Sequence, residues 1–207
     1  MQPFITCRVF GGSWFSLEAQ AVHIHHELID RCRQGDRDAY YRLYKLYSRS
    51  MYNVGYRIVN NVEEAEDVLQ DAFISAFNNL ESYRGDSTFG AWLKRIVINK
   101  AINYVNKRKP ERLPEDERFD VKEEEEVDVL EGFPFTVEKV RAAIETLPDG
   151  YRSVLSLYLL EGYDHGEIAE ILGITESTSK SQFNRAKKKL KELLEDGIVW
   201  KTHSQNS

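Results

Sequence analysis

Basic side chains are concentrated in two parts of the sequence, and both are candidates for binding a polyanion. From residue 84 to residue 109 the chain carries seven Lys and Arg residues against one acid, Asp86, and from 176 to 191 it carries six against Glu176. Between them, residues 111–138 hold twelve acids and three bases. Local charge, rather than the net charge of -6, decides where a nucleic acid docks. The pattern predicts two nucleic-acid-binding surfaces separated by an acidic spacer.

The second basic cluster follows the pattern of a helix-turn-helix. Asp164 and Glu167 have the spacing of a capping box, Gly173 suits a tight turn, and a long basic helix follows Thr175. In this motif the second helix enters the major groove, where its first residues reach base edges. A solvated basic face is the plain alternative, but the capped helix and the turn upstream favour contact with duplex DNA. The predicted contacts are Glu176, Ser177, Thr178, Lys180, Ser181, Arg185 and Lys188.

The first basic cluster contains a helix with a polar stripe. Arg95, Asn99, Asn103 and Asn106 follow one another at steps of four, four and three residues, which places them on one helical face. Asparagine is a poor helix former, so three of them in one helix lower its stability. That cost predicts a functional task for the stripe.

An acidic helix face without Lys or Arg lies upstream of this stripe. It belongs to a helix that begins after Asn61 and has apolar residues on its other side. A surface of this sign suits a basic partner, and a merely solvated face is the alternative. The acids are Glu63, Glu64, Glu66, Asp67 and Asp71.

Catalytic and metal-binding patterns are absent from the sequence. It has no glycine-rich phosphate loop, nucleophile elbow or HExxH segment, so we expect no enzymatic activity and no cofactor. His23, His25 and His26 lie near Cys32, but their spacing fits no standard metal site. Cys7 is the only other cysteine, which indicates a reducing cytoplasm rather than a disulfide framework. No stretch is long and apolar enough to span a bilayer.

Helical signals are dense from Glu27 onward and predict an all-α protein. Gly35 can end a first helix, and Asp36 can cap a second whose apolar residues recur at three- and four-residue steps. Asn61 and Glu64 form a capping-box pattern at the start of the third helix.

Further helix signals follow on both sides of the acidic spacer. Ser87 or Thr88 can cap a long helix that ends before Pro110. Beyond the spacer, residues 136–147 and 148–162 read as two more helices ahead of the helix-turn-helix. No strand pattern competes with this prediction.

These segments, in this order, resemble the sigma-70 family of bacterial RNA polymerase specificity subunits, in its small two-module extracytoplasmic function (ECF) group. Residues 65–77 resemble the family's core-polymerase-binding helix, and residues 83–99 resemble its -10 reading segment. The resemblance to the -35 reading domain lies in Leu147-Pro148, Glu167-Ile168-Ala169, Leu172-Gly173, Lys180-Ser181 and Arg185-Ala186. It spans residues 27–194 and rests on several motifs in the family's order.

The resemblance implies roles for particular residues. Asp67, Gln70, Asp71 and Phe73 would contact the polymerase clamp, although Phe73 also suits a core position. At the melted -10 element a base leaves the stack and is held by single-strand contacts, including an aromatic ring. The implied -10 contacts are Tyr83, Arg84, Gly85, Asp86, Lys94, Arg95, Asn99, Asn103 and Lys107. The seven residues of the basic helix named above would read the -35 element.

The resemblance also implies two helical modules, a region 2 bundle and a region 4 helix-turn-helix, joined by a flexible acidic linker. The expected partners are bacterial core RNA polymerase, promoter DNA and an anti-sigma factor, which can be membrane-bound. The expected divisions are a disordered arm (1–24), region 2 (25–109), the linker (110–135), region 4 (136–196) and a tail (197–207).

Two positions depart from the family's pattern, and one alternative function stays open. Ser179 stands where the family usually has an apolar residue, four positions before Phe183, and Gln182 stands where a basic residue is common. The alternative is a helix-turn-helix regulator that binds duplex DNA without polymerase and needs only residues 136–196. It leaves the acidic helix and the asparagine stripe unexplained.

Overall fold

Helices make up all the regular structure in the described part of the chain, as predicted. The computed structural model describes the backbone of residues 25–108 and 136–204, and side chains in these ranges up to residue 195. The predicted arm and acidic linker lie outside the described residues, so the module boundaries stay predictions. In the described ranges no helix combines the length and apolarity needed to cross a membrane.

The helices fall into two groups. The front module comprises α1 (His26–Arg33), α2 (Arg37–Val59), α3 (Val62–Asn78) and α4 (Phe89–Arg108), with a 3-10 turn at Leu80–Ser82 after α3. The back module comprises α5 (Val137–Glu145), α6 (Asp149–Leu159), α7 (His165–Leu172) and α8 (Glu176–Ser204).

Three helices, α2, α3 and α4, pack against one another and form the core of the front module. Most of the apolar positions that recur at helical spacing in the sequence become buried, because each helix turns its apolar face inward, although Tyr44 of α2 is 38% exposed. Full burial of one such aliphatic side chain contributes about 1.5–3 kcal/mol. The core includes Leu43, Met51, Val54, Ile58, Ala65, Val68, Ala72, Phe89, Leu93, Val97, Ile98 and Ala101.

Side-chain caps fix where the helices begin. The Asp36 carboxylate accepts the backbone N–H of Asp38 at 2.9 Å and caps α2 as predicted. It also accepts the Arg31 Nε–H at 2.8 Å, and this hydrogen bond is the main cause of the lowered pKa of Asp36. Thr88, rather than Ser87, caps α4, because its Oγ1 accepts the Ala91 N–H at 3.2 Å.

The capping box predicted at the start of α3 forms only in part. Asn61 Oδ1 accepts the backbone N–H of Glu64 at 3.0 Å. The Glu64 carboxylate, however, pairs with the guanidinium of Arg108 at the end of α4. Arg108 also donates to the Val59 carbonyl at 3.0 Å. A charged partner outcompetes a neutral backbone N–H, so Glu64 links α3 to α4 instead of closing the box.

The back module forms a second core between α6, α7 and α8, with α5 packed against α8. Its buried residues include Leu147, Val154, Leu155, Leu157, Ile168, Phe183 and Ala186. Arg152 is also buried, with 3% of its surface exposed. Its guanidinium donates to the Leu147 carbonyl at 2.7 Å and to the Asp149 carboxylate at 2.5 Å. The two modules touch where α2 meets α6.

Candidate nucleic-acid and polymerase interfaces

The loop before α4 is held in place by the ring of Tyr83. This ring is only 5% exposed and packs between Phe89 and Trp92, with centroid distances of 5.6 and 5.4 Å. Its hydroxyl donates to the Ser87 carbonyl at 2.7 Å. The expectation that this ring stacks on a base is therefore corrected, because the ring is already enclosed by other aromatic side chains. Tyr83 shapes the loop instead.

The tip of this loop presents the polar groups that the sequence predicted. Arg84 and Asp86 are exposed, and Gly85 between them has a φ of 82°. Side chains with a Cβ rarely adopt this left-handed conformation, so glycine allows the turn. On the other side, Arg33 of α1 donates to the Tyr83 carbonyl at 2.7 Å. The hydrogen bonds of Tyr83 thus fix the part of the loop that precedes its exposed tip.

The polar stripe of α4 faces outward, as its spacing predicted. Arg95, Asn99 and Asn103 are all exposed, and Lys107 at the end of the stripe lies 5.6 Å from the ring centroid of Tyr104. An amide group offers both donors and an acceptor, which suits the edges of unpaired bases. The opposite side of α4 supplies Leu93 and its neighbours to the core. The stripe is therefore free to meet a ligand.

Lys94 is not part of this stripe. It precedes Asn99 by five residues, which is about 140° around a helix with 3.6 residues per turn. Its ammonium group instead pairs with the Glu161 carboxylate of the back module at 3.0 Å. The structure therefore does not bring Lys94 together with the other residues predicted for the -10 element.

The acidic face of α3 divides into exposed and partly covered positions. Asp67 and Gln70 are exposed, whereas Asp71 is half-buried and accepts the Tyr104 hydroxyl of α4 at 3.4 Å. Burial is the main cause of the raised pKa of Tyr104, and the carboxylates of Asp71 and Asp67 add to it. Asp67 and Gln70 are thus the members of the predicted clamp set that are open to a partner.

An aromatic groove between α2 and α3 adjoins this acidic face, and the sequence analysis missed it. Phe73 is 3% exposed and forms its floor, with its ring centroid 4.8 Å from that of Tyr44 and 5.5 Å from that of Phe77. Ile74 beside it is 51% exposed. Exposed aromatic and aliphatic side chains next to acids favour a protein partner rather than DNA. The tyrosine-rich sequence of α2 was the available signal.

The helix-turn-helix forms as predicted. Both hydrogen bonds of the capping box between Asp164 and Glu167 are present, at 2.8 and 2.9 Å. Gly173 ends α7 with a φ of 66°, a conformation that an L side chain rarely adopts. Thr175 Oγ1 accepts the Thr178 N–H at 3.1 Å at the start of α8. The turn and the first residues of α8 are therefore fixed by local hydrogen bonds.

The residues predicted to read duplex DNA lie along the accessible side of α8. Four of them are exposed and three are half-buried, and Lys180 pairs with Glu176 at 2.8 Å. The exposed residues are Glu176, Ser177, Lys180 and Lys188, and the half-buried ones are Thr178, Ser181 and Arg185.

Ser179 is fully buried and has a polar partner that the sequence analysis missed. Its hydroxyl lies 2.9 Å from Nδ1 of His165, the first residue of α7. The His165 ring stacks on Tyr158 at a centroid distance of 4.7 Å and meets Phe183 edge-on at 5.5 Å. A hydrogen bond at this position replaces the apolar contact common in the family. The pair joins the two helices of the helix-turn-helix.

The hydrogen bond between His165 and Ser179 predicts that the stability of the back module depends on pH. Burial lowers the pKa of His165, Lys180 and Lys187 lower it further, and Glu176 and Asp164 oppose the shift. Because the unfolded chain takes up a proton near pH 6.5 while the folded ring resists it, the stabilisation is present above about pH 6.5 and is lost as the pH falls. Urea unfolding of the full chain at pH 5.5 and 7.5 should show a smaller pH difference for His165→Gln than for the wild type.

The exposed His26 supplies the control for this experiment. Its side chain is 54% exposed and lies 2.9 Å from Asp30 in α1. His26→Gln removes only a water-exposed ion pair, so it should change the pH difference by much less than His165→Gln does. Equal pH differences in His165→Gln and the wild type would contradict the assignment to His165.

The comparisons with known proteins agree with this geometry. The chain matches the family Sigma-70 region 2 over residues 43–111 and Sigma-70, region 4 over residues 138–190. The first match lies on the front module, which a helix-turn-helix regulator acting without polymerase would not require. The alternative function is therefore not supported.

Several characterised relatives are similar over most of the chain. The ECF RNA polymerase sigma factor SigW of Bacillus subtilis is 32% identical over 182 residues, covering 81% of this chain and 95% of that protein. The ECF RNA polymerase sigma-E factor of Haemophilus influenzae is 34% identical over 181 residues, covering 83% and 93%.

A solved structure shares the fold. The sigma factor RpoE in complex with the anti-sigma factor NepR from Bartonella quintana has a TM-score of 0.50 and 21% identity, covering 74% of this chain and 95% of that one. Together with the relatives and the two matched regions, the helical architecture leads to one conclusion. The chain belongs to the ECF group of the sigma-70 family and is an RNA polymerase sigma factor.

Proposed function

We propose that the front module binds core RNA polymerase and reads the melted -10 element, and that the back module reads the duplex -35 element. The observation that carries this division is the outward stripe of Arg95, Asn99 and Asn103, whose asparagines lower helix stability and whose members add nothing to the core. Amide side chains on a rigid helix suit unpaired bases, whereas the capped helix-turn-helix suits a major groove. The two modules therefore divide single-strand and duplex reading between them.

The polymerase contact is assigned to α3 and the neighbouring groove. Asp67 and Gln70 supply exposed polar groups, and Phe73 supports the aromatic groove from below. Asp71 contributes its charge while it accepts the Tyr104 hydroxyl. An acidic helix face beside an apolar groove fits a partner surface that has basic groups next to an apolar patch. We further propose that an anti-sigma factor is a partner of this chain.

Charge reversal on α3 tests the polymerase contact. Because Asp67 is exposed, Asp67→Arg should leave the fold intact and weaken binding of the full chain to core RNA polymerase about tenfold. Binding is measured with immobilised core enzyme, and the fold is checked by circular dichroism. Glu170→Arg makes the same charge change at an exposed position of α7 and should bind as the wild type does. Equal affinity of the Asp67→Arg chain and the wild type would remove the assignment of α3.

A further inference from the structure

The last residue of α1 is hydrogen-bonded to the loop that precedes α4. Arg33 Nη2 donates to the Tyr83 carbonyl at 2.7 Å, and its Nη1 donates to the Asp30 carboxylate at 3.0 Å. One planar guanidinium thus holds a carboxylate of its own helix and a carbonyl that lies 50 residues later in the chain. A charged donor strengthens a hydrogen bond to a neutral carbonyl, and the rigid fork of arginine fixes its direction. Arg33 therefore ties the position of this carbonyl to α1.

Other contacts than those of Arg33 attach α1 to the front module. Ile29 and Cys32 are 2% and 0% exposed and belong to the core. At the start of α1, His25 Nδ1 lies 3.1 Å from the Tyr47 hydroxyl of α2. The side chain of Arg33, in contrast, is 26% exposed and lies at the edge of this core. We therefore expect α1 to stay in place when Arg33 is replaced, so that Arg33 acts on the loop from a fixed support.

The hydrogen bond at the Tyr83 carbonyl sets the direction of the peptide group that leads into the loop tip, residues 84–86. The carbonyl of Tyr83 and the N–H of Arg84 belong to one planar trans peptide, so they point in opposite directions. Because the carbonyl points to α1, the Arg84 N–H points away from α1. Within residues 25–108 and 136–195 this N–H has no hydrogen-bond acceptor, and the Arg84 side chain is exposed. The peptide group is therefore both fixed and open to a ligand.

The loop tip is also held at its far end, again through Tyr83. The Tyr83 hydroxyl donates to the Ser87 carbonyl at 2.7 Å. Between the two attachments, Gly85 has a φ of 82°, and a Cβ at this position would meet no described atom within 4 Å. The centre of the loop tip thus faces open space while both of its ends are fixed. A loop that is ordered in advance loses little conformational entropy when it takes up a ligand.

We propose that Arg33 is a positioning residue for the -10 element: its hydrogen bond to the Tyr83 carbonyl holds the loop tip in the orientation that accepts one unpaired base. This inference rests on the proposed function of the front module. Arg33 acts through the loop and not on the base, because its Nη2 is already engaged on the side of the loop that faces α1. An ordered tip favours the base that fits it, whereas a loose tip adapts to several bases. Loss of Arg33 should therefore lower discrimination at one position of the -10 element.

A scan of single-base substitutions in the -10 element tests this role. Run-off transcription with holoenzyme reconstituted from core RNA polymerase and the full chain is measured on the cognate promoter and on each substituted promoter. The ratio of the two rates is high for the wild type wherever a base is read. Arg33→Met keeps most of the aliphatic stem and removes the donors, and we expect this ratio to fall about three- to tenfold at one position. The ratios at the other -10 positions should stay within about twofold of the wild type.

A structural role alone would not produce this pattern. A holoenzyme that contains less folded chain transcribes all promoters more slowly by the same factor, so the ratios do not change. Arg37→Met makes the same charge change at an exposed residue of α2 and should keep all wild-type ratios. Asp30→Ala removes the carboxylate that orients Arg33 and should lower the ratio at the same position about twofold. It decides the question if Arg33→Met does not fold.

The outcomes for this inference and for the proposed function differ. A wild-type holoenzyme that transcribes all the substituted promoters as well as the cognate one would contradict the proposed function of the front module. If the wild type discriminates, unchanged ratios in Arg33→Met, or an equal fall of the ratio at every -10 position, would overturn the positioning role of Arg33.

Discussion

Replacement of Arg152 with alanine is expected to lower the free energy of unfolding by about 3–5 kcal/mol. The guanidinium is almost fully buried and donates to the Leu147 carbonyl, the Asp149 carboxylate and the Ile58 carbonyl. Its removal takes one charged donor from the Asp149 carboxylate and from each of two carbonyl oxygens, and it leaves a cavity beside α6. The loss exceeds that of an ordinary surface substitution because all these costs fall on one site.

Chemical unfolding of the full chain measures this effect. Arg152→Lys keeps the charge but cannot reproduce the planar fork, so we expect a loss of stability smaller than that of Arg152→Ala. Arg141→Ala removes an exposed arginine of α5 and should change the stability by less than about 0.5 kcal/mol. A similarly small change for Arg152→Ala would mean that the buried guanidinium is not a main source of back-module stability.

Asn99→Ala is expected to reduce transcription from a cognate promoter by roughly tenfold or more, since one base-edge contact contributes about 1–3 kcal/mol. Asn99 is exposed at the centre of the α4 stripe, so its loss should act on DNA reading and not on folding. If its amide reads a base, the variant should also discriminate less between the cognate -10 element and one altered at that base.

Run-off transcription with reconstituted holoenzyme measures this loss. Asn53→Ala removes an exposed asparagine of α2, away from the stripe, and should retain wild-type transcription. Binding of core enzyme should be the same for Asn99→Ala and the wild type. Full activity of Asn99→Ala on both promoters would show that the stripe does not read the -10 element.

Local sequence signals predicted most of the fold. The periodicity of apolar residues indicated the helices, and the caps at Asp36, Thr88 and Asp164 lie where the residue types suggested. Gly173 ends α7 as expected. These features depend on residues within one or two helical turns of each other, so a single sequence contains the information they need. The exposed stripe of α4 belongs to the same group, because helical spacing alone places its members on one face.

Contacts between distant segments could not be predicted in this way. The pairing of Glu64 with Arg108, the hydrogen bond between His165 and Ser179, and the aromatic groove on α2 and α3 each join residues of different helices. The sequence indicated the chemical type of each side chain, but a given type has several candidate partners. Packing of the helices selected one partner from among them.

By itself, the sequence determined an all-helical chain with segregated charge, an outward polar stripe and a helix-turn-helix, because periodicity, capping and charge are local properties. Only the tertiary structure decided that Tyr83 is enclosed rather than available to a base, and that Lys94 meets Glu161 instead of joining the stripe. The reason is physical: burial and ion pairing depend on which surfaces come together, and α2, α4 and α6 meet across long separations in the chain.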